Sequence, residues 1–365
     1  MKTNKKTILQ PKLSQKNEYV NIVNQIISEL GYTDIIDASE SIKIKNLFSP
    51  VSISYFAWFE NTDTNSKFLG YIQNLKKKLY IRFFKHVKRT KIIIAIHNKT
   101  SHLSGEHKQT LTMLKWLCKK SDSIIILCHE TNQYLLELFG EKEGKNICNK
   151  CFYIPHPNYI GIYGNEDITE NNKYYIPQDD KFNLLFLGTL KPYKNIEIII
   201  DAANMIKEDN IRFIIAGHGD KDYVDSLQRQ IKGNNVLFYP YKIPNEIMGS
   251  FISMSDIMLL PYNLDSVLNS GVCILAFSHK KNVISTTTGT LNEFPRELVY
   301  SYSFEGDGHV LALYTEIQKA YNDYTLDRES FLEKQNALYK CVSDYNSYEN
   351  VKKKYEKLYT ELERK

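Results

Sequence analysis

Between Thr64 and Gly105 the sequence contains no Asp or Glu, while Lys67, Lys76, Lys77, Lys78, Arg82, Lys85, Lys88, Arg89, Lys91 and Lys99 all fall inside that stretch. Such a run disfavours a cationic partner and suits an anionic one. No apolar stretch approaches the roughly 18 residues that a membrane-crossing helix needs. Cysteine is sparse: of the six, at 118, 128, 148, 151, 273 and 341, only Cys148 and Cys151 stand at CxxC spacing. Without a second pair or nearby histidines, that spacing reads as reduced structural thiols, not as a zinc or redox motif. No GxGxxG string occurs, which argues against a dinucleotide-dependent enzyme. The first residues, with Lys2, Lys5 and Lys6, lead into Thr7, Ile8 and Pro11 and not into the apolar core of a signal peptide, so a cytoplasmic protein is expected.

What remains is a globular composition, 42% hydrophobic and 24% charged, in a chain of 365 residues with a net charge of +5. That length exceeds what one hydrophobic core usually serves, so two domains are expected. Within the basic segment 67–91, Tyr80, Phe83 and Phe84 interleave with the charges at helical spacing. This suits a helix lying on an anionic membrane surface, with the aromatics entering the interface. The alternative is a solvated helix whose aromatics face the core. A nucleic-acid partner is not expected, because no helix-turn-helix, RRM or zinc motif accompanies the charge.

The C-terminal half alternates short apolar runs with helical periodicity: strands at 183–187, 212–216, 236–238, 256–260 and 282–285, with helices between them. Strands buried on both faces and joined by helices imply a parallel, doubly wound sheet. The N-terminal half repeats the theme less cleanly, with strands at 51–56, 91–96, 123–127 and 151–154. Residues 155–181, rich in proline, glycine and asparagine and without periodicity, form the best linker candidate. The expected division is residues 1–172, residues 173–345, and a charged helix in 346–365 with Val351, Tyr355 and Leu358 on one face.

At Phe186, Leu187, Gly188, Thr189, Leu190, Lys191, Pro192, Tyr193 and Lys194 a buried strand ends in glycine, and a lysine follows six residues on. This resembles the donor domain of family-4-type GT-B glycosyltransferases, and the likeness continues through Gly217 and Gly219, residues 236–246, and Asp256 to Gly271. In the N-terminal half, Trp58-Phe59-Glu60, His97-Asn98 with His102, and His156-Pro157 with Tyr159 resemble elements of a subgroup that builds bacterial surface polysaccharides. The resemblance implies an α/β GT-B fold: two Rossmann-like domains facing each other across a cleft, with the last helix returning to the first domain. It implies transfer of a sugar from a nucleoside-diphosphate-sugar (UDP or GDP) to a glycan or polyprenyl-linked acceptor. No cofactor or metal would be needed, configuration would be retained, and the protein would be cytoplasmic or peripheral on the inner face of the cell membrane.

Sugar transfer leaves charge on a departing diphosphate, which cationic side chains and helix N-termini stabilise. Lys194 is the first candidate and Lys191 the second, in a site expected to be exposed in the cleft. Ser270 and Gly271 supply amides and a hydroxyl at a helix start, with Asn269 alongside. Gly188 and Tyr262 fall at strand carboxyl ends, where ligands of doubly wound sheets sit. Tyr241, Lys242 and Ile243 form the expected base-binding strip. On the acceptor side His97 and His102 orient or deprotonate a hydroxyl, with a pKa expected near working pH. Glu60 is the alternative base and matters more if configuration inverts. The two glutamates of the family's E-x7-E signature fall near Val267 and Leu275, neither of them acidic; Asp265 is the candidate substitute for the first. Those departures leave a catalytically silent nucleotide-binding module as the alternative reading.

Overall fold

Short runs of β-branched and aromatic residues build two parallel sheets whose central strands are buried along nearly their whole length, while edge strands such as Cys151–Tyr153 and Val236–Tyr239 are only partly buried. The computed structural model describes residues 5–13, 17–47, 49–62, 64, 66–99, 107–264 and 267–364. The first sheet comprises β1 (Lys6–Gln10), β2 (Asp34–Ile36), β3 (Ile53–Ala57), β4 (Lys91–Ile96), β5 (Ser123–Ile126) and β6 (Cys151–Tyr153), in the order β2-β1-β3-β4-β5-β6. The second comprises β7 (Phe182–Leu187), β8 (Ile211–Ala216), β9 (Val236–Tyr239), β10 (Ile257–Leu260), β11 (Asn282–Thr286) and β12 (Tyr300–Tyr302), in the order β12-β11-β10-β7-β8-β9. All neighbouring pairs are parallel, so each connection is a crossover.

The chain divides into two units, Met1–Pro157 with Ser347–Lys365, and Asn158–Asn346. From Asn158 onward the proline- and glycine-rich segment is laid on the second unit. The Tyr159 amide donates to Ser278 Oγ at 3.0 Å, the Gly164 amide donates to Asn245 O at 2.8 Å, and Gly164 O accepts from the Gly249 amide at 2.9 Å.

The final helix, Tyr348–Arg364, packs in the first unit and buries Val351, Tyr355, Leu358, Tyr359 and Leu362. Its phenol Tyr355 joins a buried polar cluster with Tyr19 and Tyr55, whose hydroxyls lie 3.1 Å apart. Lys352 pairs with Glu29, and Tyr32 donates to Glu363, so both ends of the helix are tied to the first unit.

In each sheet the strand order reverses once, and crevices at such points are where ligands of open α/β sheets bind. In the first sheet the reversal lies between β1 and β3; in the second it lies between β7 and β10.

Candidate functional site

In the second unit, the turn leaving β7 is built from residues with unusual backbone freedom. Gly188 has φ +152° and Gly217, at the end of β8, has φ +153°. A Cβ at Gly217 would stand 1.7 Å from Gly188 O, so the two loops run side by side only because Gly217 lacks a side chain. The chain then passes Lys191, forms a single 3-10 turn Pro192–Lys194 with proline at its start, and enters the helix Ile196–Met205 through Asn195 at φ 53°. Asparagine tolerates that left-handed conformation, and Asn195 Nδ2 donates to Pro261 O at 2.8 Å, tying the β7 turn to the end of β10.

That geometry places the Lys194 amine at the reversal point, close enough that a Cβ on Gly188 would lie 2.6 Å from its Nζ. Lys194 is only 9% exposed, which corrects the expectation of an open position. Burial, with Lys191 adding its like charge, pushes the ammonium down to about 8. The Phe186 ring gives it a weak contact at 5.8 Å, and among the described residues no carboxylate lies within ion-pair distance of it.

The helix Gly271–Ser278 follows β10, the strand that pairs with β7 across the reversal point. Ser270 caps this helix, its Oγ accepting from the Cys273 amide at 3.1 Å and meeting the Tyr262 hydroxyl at 3.0 Å. The Ser270 amide already donates to Thr290 Oγ1 at 2.9 Å. The expectation that Ser270 supplies an amide and its hydroxyl is therefore corrected: these groups hold the cap in place, which leaves the first-turn amides of Gly271 and Val272 as the candidate donors at this helix start. Neither Thr290 nor Asn195 stands out in the sequence, although the threonine-rich run 286–290 after an apolar strand marks the first. Asn269 sits half-buried before the cap, and Asp265 lies outside the described residues. Val267 and Leu275, at the positions of the missing glutamates, are buried apolar side chains.

Tyr241, Lys242 and Ile243 follow β9, two strands or about 10 Å from β7. Ile243 is buried, Lys242 is exposed, and Tyr241 is half exposed under the Lys173 ammonium, 5.1 Å from its ring.

In the first unit, side chains from the carboxyl ends of four strands meet. Trp58, just after β3, holds φ 54°, a strained conformation for a bulky residue. Its indole stacks on His97, which follows β4, with centroids 3.9 Å apart and planes 21° apart. Tyr19 from the helix after β1 presents its edge to His97 at 5.0 Å, and His156, beyond β6, lies 4.9 Å from Tyr19. Burial, then His156, pushes His97 down to about 3, and burial holds His156 near about 4. The expected pKa near working pH is thus corrected, because the aromatic cage excludes the water that an imidazolium needs. We expect His97 to keep a neutral tautomer at pH 5; nitrogen-15 NMR of the labelled ring, showing protonation at pH 6 to 7 instead, would contradict the cage. Glu60 is also buried, and burial pushes its carboxyl up to about 7, against the opposing pull of Lys77. His102 lies outside the described residues.

Residues 181–323 match the family model of glycosyl transferases group 1, a span that includes β7 to β12 and the residues around Lys194. HepE of Anabaena, solved with UDP, has a similar structure, with TM-score 0.67, 14% identity, and 98% of this chain and 100% of that chain covered. Sucrose-phosphate synthase of Thermosynechococcus elongatus is also similar, at TM-score 0.63 and 15% identity over 96% and 80% of the two chains. So is a glycosyltransferase of Rickettsia africae, at 0.62 and 14% over 99% of each. No curated protein sequence matches the chain. The fold is that of GT-B glycosyltransferases.

Proposed function

We propose that this protein transfers a sugar from a UDP- or GDP-sugar to a hydroxyl of a glycan or polyprenyl-linked acceptor. The reaction serves surface polysaccharide synthesis at the cytoplasmic face of the membrane, proceeds with retention and needs no divalent cation. The observation that carries the reading is Lys194, a buried ammonium at the reversal point of a doubly wound sheet, with no carboxylate among the described residues in ion-pair distance of it. Burying a cation is costly, and an anion arriving in that crevice compensates the cost. The HepE structures hold UDP, UDP with glucose, and UDP-glucose, which supports a nucleoside diphosphate as that anion.

The bond between the anomeric carbon and the diphosphate breaks, and the negative charge growing on the leaving oxygen is met by Lys194, Lys191 and the first-turn amides of Gly271 and Val272. Gly188 keeps the space for the lysine open, Tyr262 holds the helix start through Ser270, and Asn269 lies alongside at the phosphates. The strip Tyr241–Ile243 takes the base. The acceptor oxygen forms its bond to the same face of the sugar, and its proton passes to the leaving phosphate. No strong protein base is then required, in keeping with a neutral, weakly basic His97, which orients the hydroxyl together with Glu60 and His102. Were configuration inverted, Glu60, with its pKa raised to about 7, is the group suited to accept the proton.

The test is a thermal-shift panel of UDP, GDP and CMP compounds, followed by NMR of the anomeric proton in the product. A diphosphate nucleotide at a hundredfold excess over its Kd is expected to stabilise by about 2.7 kcal/mol. No shift with any nucleotide sinks the reading. Because Val267 and Leu275 offer no carboxylate to the donor sugar, a non-catalytic nucleotide-binding module is the second reading; stabilisation by nucleotide without hydrolysis or transfer across the panel favours it.

A further inference from the structure

The helix Lys67–Arg82 turns its apolar side chains the wrong way for a core helix. Its buried face consists of Gly70, Asn74 and Ile81, and Asn74 Nδ2 donates to Gln109 O at 3.0 Å. The opposite face carries Phe68, Tyr71, Leu75 and Leu79, at i, i+3, i+7 and i+11, exposed by 71%, 61%, 42% and 54%. Lys76 flanks this stripe on one side, and Lys78 and Arg82 flank it on the other, the latter two resting over the Trp116 ring at 5.9 and 5.7 Å. Near Leu79 the stripe runs into an open apolar groove of about 600 Å³, walled by Ile42, Phe59 and Phe83.

The aromatics that the sequence pattern singled out are not on this stripe. Phe84 is fully buried, Tyr80 meets Ser41 Oγ at 2.8 Å, and Phe83 packs on Phe84. The helix therefore presents a second, different apolar set to solvent.

We infer that this stripe is a docking surface for an anionic lipid bilayer, with Phe68, Tyr71, Leu75 and Leu79 entering the interface and Lys76, Lys78 and Arg82 meeting the headgroups. Charge complementarity selects that occupant, since no Asp or Glu occurs from Thr64 to Gly105. The carboxylates of the adjoining helix are already engaged: Glu40 pairs with Lys12 at 3.4 Å, and Asp37 accepts from the Glu40 amide at 2.7 Å. Among the described residues no helix is long and apolar enough to cross a membrane, so attachment through this face is peripheral.

The experiment is co-sedimentation of the whole chain with vesicles of phosphatidylcholine alone or with 30% phosphatidylglycerol, at low and high salt. The protein is expected to partition onto the anionic vesicles, and at least tenfold less onto the neutral ones. Phe68→Ser with Leu75→Ser and Leu79→Ser should lower partitioning at least tenfold at low salt. Lys76→Glu with Lys78→Glu should do the same and flatten the salt dependence. All five positions leave the buried face of the helix untouched, so circular dichroism and Tm should be unchanged. Failure of the parent chain to sediment with anionic vesicles, or unchanged sedimentation of the triple variant, overturns the inference. So does a dimer in analytical ultracentrifugation that the triple variant dissociates while vesicle binding is absent. No donor or acceptor enters the assay, so its failure leaves the sugar-transfer proposal standing.

Discussion

Lys194→Met is expected to lower kcat by about 10²- to 10³-fold, the range seen when one charge-stabilising donor is removed from a reacting centre, and at the same time to make the protein more stable at neutral pH. The two effects have one cause. The folded ammonium titrates at about 8, below the ordinary lysine value of 10.5. Between those values the unfolded chain holds a proton that the folded chain has released, so parent stability rises with pH across the window and the full penalty applies below about 8. That penalty is on the order of 3 kcal/mol, at 1.36 kcal/mol per pKa unit, and methionine, similar in length and uncharged, removes it. Urea unfolding at pH 7 and pH 10 measures both parts: the variant should be the more stable at pH 7, and the gap should narrow by pH 10. A diphosphate entering the parent site restores the proton, so calorimetry at pH 8 to 9 in buffers of different ionisation enthalpy should register proton uptake, absent in the variant. Normal turnover by Lys194→Met, or lower stability at pH 7, contradicts the assignment.

Gly217→Ala is expected to destabilise the second unit by about 2–6 kcal/mol. Roughly 1–3 kcal/mol comes from holding a side-chain-bearing residue at a positive φ, and roughly 1–3 kcal/mol comes from overpacking. The clash is with backbone, Gly188 O at 1.7 Å and Gly188 C at 2.8 Å, so no side-chain rotation relieves it. What moves instead is the turn leaving β7, which carries Lys191 and Lys194, so nucleotide affinity should fall together with Tm. Gly70→Ala is the contrast: that glycine lies inside a helix with its nearest neighbour, Gln109 Cγ, at 3.5 Å. There alanine should stabilise by up to about 1 kcal/mol through helix propensity alone. Equal melting temperatures for the two variants would show that the close approach of the β7 and β8 loops is not needed.

Much of this architecture is legible in the residues themselves. The alternation of apolar runs with helical periodicity marks the long strands, and the glycine-to-lysine spacing from Gly188 to Lys194 marks the turn that opens the crevice. Of the three-residue edge strands, Cys151–Tyr153 is legible from its aromatic run before Pro155, whereas Asp34–Ile36 and Tyr300–Tyr302 are too short to show a period. The helices His309–Leu326 and Arg328–Tyr345 carry polar residues through their length, and their buried positions emerge only against the sheet. Burial of Lys194 and His97 is likewise a tertiary fact: neither neighbouring sequence says that Phe186 or Trp58 will close over them. The segment 67–91 shows the same limit differently. It has two apolar faces, and periodicity alone does not say which one the sheet will claim.

The first unit is assembled from both ends of the sequence, with residues 348–364 contributing Val351, Tyr355 and Leu358 to a core otherwise drawn from before Pro157. During synthesis its phenol cluster around Tyr19 and Tyr55 stays incomplete while the whole second unit, contiguous and able to close on itself, emerges from the ribosome. The later-made half therefore has the opportunity to fold first, and the earlier-made half waits for its last seventeen-residue helix.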